Sequence, residues 1–131
     1  ISINIELMFR LEVIKKRLKS LVFAGRGLRY LVITEDSFKF QLLFSIIFII
    51  AGFYFDISSL EWCAQLIVMA LVLSVEGLNS SIELLADYIQ PNHDKKIGKI
   101  KDVAAGAVLV SGIFACVIVF VIYIPYFMAL I

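Results

Sequence analysis

At 131 residues, with 62% of them hydrophobic and a mean hydropathy of +1.00, the chain is too apolar for a soluble domain, where about 45–50% is usual. It is a small integral membrane protein, and so short a chain encloses little core, so work inside the membrane calls for several copies. The formal net charge of +1 hides a strong asymmetry along the chain, and nucleic acid is not among the expected partners. The composition also excludes a disulfide framework, because Cys63 and Cys116 both stand in apolar runs. It excludes a zinc site or histidine cluster, because His93 is the only histidine.

No cleavable signal peptide is read, since no apolar stretch with a small-residue cleavage site follows the basic N-terminal region. Met8 is a candidate start, and nothing is built on residues 1–7. Residues 8–29 are expected to form an amphipathic helix. Leu11, Ile14, Leu18, Leu21 and Val22 share one face, while Lys15, Lys16, Arg17 and Lys19 spread over the rest. Such a helix lies in the membrane interface, where its cations can reach phosphates. Gly25 and Gly27 are expected to punctuate it. In the connector 30–37, Thr34 followed by Glu35 and Asp36 suits a helix N-terminus.

The first span is read as 38–55, interrupted only by Lys39, Gln41, Ser45 and Gly52. A tight connection from Asp56 to Glu61 follows, with Ser58 or Ser59 as the cap of the next helix. That helix, 62–89, is longer than the hydrocarbon is thick at ~1.5 Å per residue, so its turns past Glu83 should stand clear of the membrane. Glu76 falls at the polar boundary. Pro91 stops the helix, and 97–102 lead into a third span at 103–131. Ala104, Ala105, Gly106 and Ala107 let a neighbouring helix approach closely, and Pro125 is expected to kink or end the span. The expected fold is therefore an all-α membrane protein, with an N-terminal surface helix plus three membrane helices in one domain over 8–131.

All 12 Lys and Arg lie either up to Lys39 or between Lys95 and Lys101, whereas the 56–61 connection carries only Asp56 and Glu61. By the positive-inside rule the N-terminus and the 90–102 loop are cytoplasmic and the C-terminus is outside.

Directly after the run 66–75, Glu76, Asn79, Glu83 and Asp87 recur at i, i+3, i+7 and i+11, one face of a helix. Charges in a membrane segment cost a few kcal/mol or more each, so they mark function by default. A wet stripe beyond the membrane would explain Asp87. It explains the other three poorly, because Leu78, Ile82, Leu84 and Leu85 keep the segment greasy. Glu76, Glu83 and Glu35 are expected to meet Asn79 and the cations Lys101, Lys19 and Lys16 on one side of the membrane. Mg²⁺ takes one or two carboxylates together with substrate phosphates, and nearby cations neutralise a phosphoryl group in transfer. No Walker A, kinase glycine loop or dinucleotide fingerprint is present. Spacing alone leaves three readings open. They are phosphoryl transfer to a lipid alcohol, a proton or ion pathway carried by Glu76 and Glu83, and a structural subunit assembling through 104–106. The second lacks carriers in the middle of the span.

The pattern Glu76-x-x-Asn79-Ser80-x-x-Glu83-x-x-x-Asp87, with Lys101-Asp102 downstream, resembles the prokaryotic diacylglycerol kinase family, small three-span lipid kinases that include undecaprenol kinases. Gly27-Leu28-Arg29 and Glu35-x-x-Phe38 extend the resemblance to about residues 16–125. It implies a homotrimer in the inner membrane of a bacterium, with composite sites using ATP and Mg²⁺. It also implies Glu76 as the catalytic base, Glu83 and Glu35 as metal ligands, and Asn79 and Asp87 as polar partners ordering the site. Lys101 would bind phosphate beside a nucleotide contact at Asp102, and Asn92, His93 and Asp94 would hold the adenosine. Lys16 stands where the family commonly has an arginine, and Phe23 where well-known members have a tyrosine. The acceptor implied is diacylglycerol, giving phosphatidic acid, with undecaprenol, giving its monophosphate, as the alternative; the segment 102–110 resembles the undecaprenol-type members of the family.

Overall fold

A computed structural model describes residues 2–130, with side chains from Glu6 onward. The described residues are helices and short joints, with no strand among them. Ile131, the expected last residue of the third span, lies outside them.

The chain divides into two units, 1–35 and 36–131. The first is a single helix, α1 (Ser2–Thr34), with Glu35 after it. The expected punctuation at Gly25 and Gly27 is absent, and α1 runs unbroken through both. A helical glycine costs only about 1 kcal/mol against alanine, which the surrounding leucines, arginines and alanine carry. Thr34 does not cap the next helix either. Its hydroxyl donates back to the Tyr30 carbonyl at 2.6 Å, and the Glu35 N–H closes the last turn on the Leu31 carbonyl at 3.1 Å.

The second unit is a bundle of α2 (Asp36–Tyr54), α3 (Ser59–Ile89) and α4 (Lys95–Met128), each long and apolar enough to cross a membrane. The principal interface is α3 on α4, with α2 packed along α3. Asp36 opens α2, where its carboxylate meets both the helix dipole and Lys39 Nζ at 2.7 Å. The helix that carries the third span starts at Lys95, ahead of the span expected from 103. Asp94 caps it, its Oδ1 accepting from the N–H groups of Lys96 at 2.8 Å and Ile97 at 3.0 Å, so the charged residues 95–102 are already helical. Pro125 neither ends α4 nor stops it short, because the helix continues to Met128. So close to the end, one missing N–H is tolerated.

The α2–α3 turn follows from capping chemistry. The Ile57 N–H reaches back to the Gly52 carbonyl at 3.2 Å and the Asp56 N–H to Phe53 at 3.4 Å, with Asp56 in the left-handed region at φ 50°. This is the paired 6→1 and 5→2 closure of a helix end, with an aspartate where glycine is commoner. Ser58 then caps α3 reciprocally with Glu61: the Glu61 N–H donates to Ser58 Oγ, and the Ser58 N–H donates to Glu61 Oε2 at 2.7 Å. Tyr126 from α4 donates to the same carboxylate at 2.8 Å. Trp62 lies over Gly52 so closely that a Cβ there would stand 2.7 Å from its ring.

Beneath this turn, Ile57, Ile122 and Tyr123 form a buried core flanked by Phe48, Phe55 and Trp62. The core holds a polar knot. Gln65, fully buried, donates through Nε2 to the Phe48 carbonyl at 3.1 Å. Its Oε1 accepts from the Tyr123 hydroxyl at 2.7 Å, and that hydroxyl also lies 3.0 Å from the Phe48 carbonyl. Three helices are tied at one point, and the Gln65 and Tyr123 side chains are both satisfied, as a lipid-embedded bundle requires.

Candidate active site

The acidic stripe lies on α3 at the end of the bundle away from this knot. Two serines beside it bond back along the helix: Ser80 Oγ donates to the Glu76 carbonyl at 3.1 Å and Ser81 Oγ to the Gly77 carbonyl at 2.9 Å. Hydroxyls bonded back along their own helix leave the carboxyls and the amide as the stripe's remaining reactive groups.

Exposure rises along the stripe. Glu76 is 5% exposed and Asn79 8%, Glu83 is half-buried, and the Asp87 side chain is 62% exposed. Only the first part of the stripe is therefore an unusual environment for a carboxyl. Asp87 fits the wet description, and Lys101 from α4 is hydrogen-bonded to it. An exposed pair like this is worth no more than about 1 kcal/mol, so Lys101 is easily drawn to a stronger anion.

Glu76 is held from another helix. Gln41, on α2, donates through Nε2 to Glu76 Oε2 at 2.7 Å. Asn79 repeats the arrangement one turn on, donating through Nδ2 to Glu83 Oε1 at 2.9 Å. In both pairs the amide presents nitrogen to a carboxylate, as charge requires. In both pairs the amide's oxygen, Gln41 Oε1 or Asn79 Oδ1, is then left buried with no partner. Such groups are few in native proteins and each calls for an explanation.

The Asn79 oxygen bears on the expected metal. A buried carbonyl oxygen lacking a donor, on the side chain that also holds the Glu83 carboxylate, supplies hard oxygen ligands of the kind Mg²⁺ takes. The donor set fits a divalent cation, although no cluster of three acidic, histidine or cysteine ligands occurs among the described residues. Glu35, the other expected ligand, closes the first unit and is half-buried.

The remaining expected residues are dispersed. Lys16 and Phe23 stand on α1, both exposed, with the Arg26 guanidinium 5.4 Å from the centre of the Phe23 ring. Asn92 and His93 are exposed in the α3–α4 loop, and the Asn92 N–H donates to Gln90 Oε1 at 3.3 Å. Asp94 is the α4 cap described above, its Oδ1 accepting from backbone. Asp102 is exposed on the first turns of α4 next to Lys101.

Gln41 is the site residue that sequence reasoning missed. Its signal was present, since it is the only amide in the first span. Gln41 also lines a cavity of about 390 Å³ among α2, α3 and α4, whose other walls include Phe44, Phe48, Val68, Val72 and Val119. Apolar volume thus lies beside the residue that holds Glu76.

A family model for prokaryotic diacylglycerol kinase matches residues 22–123. An undecaprenol kinase of Bacillus subtilis is 36% identical over 107 residues, covering 82% of this chain and 87% of that protein. A diacylglycerol kinase of Helicobacter pylori is 30% identical over 100 residues, covering 76% of this chain and 78% of that protein. The match includes every expected site residue except Lys16 and Lys19.

Proposed function

Because the chain belongs to the prokaryotic diacylglycerol kinase family, we propose that it transfers the γ-phosphoryl group of ATP to a lipid alcohol at the stripe on α3, with Glu76 as general base. The observation that carries this reading is a carboxylate 5% exposed, fixed by an amide that itself lines apolar volume. A base for a lipid hydroxyl has to meet its substrate where the hydrocarbon is.

In this mechanism Glu76 takes the proton as the hydroxyl oxygen bonds to the γ-phosphorus. The bond from that phosphorus to the β-bridging oxygen breaks, and ADP leaves. The transfer is direct and in line, with no phosphoenzyme. Glu83, the Asn79 oxygen and Glu35 would hold Mg²⁺, which when bound neutralises phosphate charge. Lys101 leaves Asp87 to bind phosphate, with Asp102 beside it and Asn92 and His93 toward the adenosine. Lys16 and Phe23 complete the nucleotide side. The protein works as a homotrimer in the bacterial inner membrane, its N-terminus and 90–102 loop cytoplasmic and its C-terminus outside.

For the acceptor, the 36% identity to an undecaprenol kinase favours the prenyl alcohol, and the 30% identity to a diacylglycerol kinase keeps diacylglycerol as the second reading. Labelled ATP, Mg²⁺ and each lipid in mixed micelles decide between them. The expected result is labelled undecaprenyl phosphate formed faster than phosphatidic acid. Failure with both lipids in folded, assembled protein contradicts the proposal.

A further inference from the structure

We infer that Gln41 is a positioning residue for Glu76: its amide N–H holds one carboxylate oxygen so that the other faces the acceptor hydroxyl. The inference rests on the reading of Glu76 as the base. Gln41 Nε2 lies 2.7 Å from Glu76 Oε2, and no other side chain among the described residues bonds that carboxylate. The Ser80 hydroxyl is committed to the Glu76 backbone carbonyl.

The cost of the arrangement points the same way. To offer its nitrogen, Gln41 leaves its own Oε1 buried without a donor. An amide placed for stability alone would be satisfied at both ends, as Gln65 is in the knot below. An apolar side chain at position 41 would remove the orphaned oxygen altogether. What such a side chain cannot do is hold the carboxylate. The contact also joins two helices, since the residues are 35 apart in sequence, so the orientation of Glu76 is set by the packing of α2 on α3 and not by α3 alone. A reacting group displaced by about 1 Å can lose on the order of a hundredfold in rate, which is the scale on which such a contact acts.

The test is Gln41→Met, which keeps length and removes the donor. The expected result is a kcat lowered roughly ten- to a hundredfold, with the KM for ATP and for the lipid within about twofold of the parent. Assembly is expected to be that of the parent, and the thermal midpoint somewhat lower, because the buried Glu76 carboxylate loses its hydrogen-bond donor. An unchanged kcat in folded protein overturns the inference. So does a raised lipid KM with kcat preserved, which would make Gln41 a binding group. Should Gln41→Met fail to fold, Gln41→Asn keeps the amide but draws it back by one methylene, and the same kcat loss is expected; full activity overturns the inference. Glu76→Gln separates this from the parent reading. If it retains transfer, the base assignment falls and Gln41 with it. If it is inactive while Gln41→Met is normal, only the Gln41 inference falls.

Discussion

The bundle carries two buried polar clusters, and they are built on opposite terms. In the knot near the α2–α3 turn, both the donor and the acceptor of Gln65 are matched, and the Tyr123 hydroxyl has its partner. On the α3 stripe, Glu76 and Glu83 each take a bond from an amide whose own oxygen is then left unpaired. Both clusters sit on helices long and apolar enough to cross a membrane. A closed polar cluster stabilises and specifies the packing. An open one costs stability and persists where something else, a substrate or a cation, completes it. The contrast separates architecture from chemistry within one bundle.

The comparison can be broken at either end. The largest effect is expected from Glu76→Gln, which keeps size and polarity. Transfer should fall by roughly 10²–10⁴-fold, the usual worth of a general base, with the thermal midpoint unchanged or raised because a buried charge is gone. Activity and differential scanning measurements on the same sample check both halves. Next is Lys101→Met, for which the KM for ATP should rise on the order of tenfold, the worth of a charge-assisted bond, with stability nearly untouched because its pairing with Asp87 is exposed. Tyr123→Phe attacks the closed cluster instead. It leaves Gln65 Oε1 buried without a donor and should cost about 1–3 kcal/mol of stability, while the rate per folded molecule stays that of the parent. The smallest effect is Asp56→Gly, which relieves a left-handed aspartate and should add on the order of 0.5–1 kcal/mol in detergent unfolding.

Much of this was legible in the sequence. Three spans follow from the lengths of the apolar runs, and the stripe from the spacing of Glu76, Asn79, Glu83 and Asp87. The Ser58 cap was one of the two serines expected there. The start of α4 was missed because Lys95, Lys96, Lys99 and Lys101 look like a loop, although Asp94 before them is a capping residue. The contacts that distinguish the two clusters could not be read. Gln41 meets Glu76 across 35 residues and Tyr123 meets Gln65 across 58. Which faces of α2, α3 and α4 turn toward each other depends on how whole helices pack, and one chain's periodicity does not fix that. The unpaired oxygens of Gln41 and Asn79 belong to the same class, visible only once both partners of each amide are placed.

The most direct test sets Glu76→Gln beside Tyr123→Phe in one reconstitution, measuring phosphoryl transfer per folded molecule and the thermal midpoint of each. Glu76→Gln should melt like the parent and transfer almost nothing, and Tyr123→Phe should melt lower and transfer at the parent's rate. Normal transfer by Glu76→Gln, or a Tyr123→Phe that keeps its stability and loses its chemistry, would contradict the division between the two clusters.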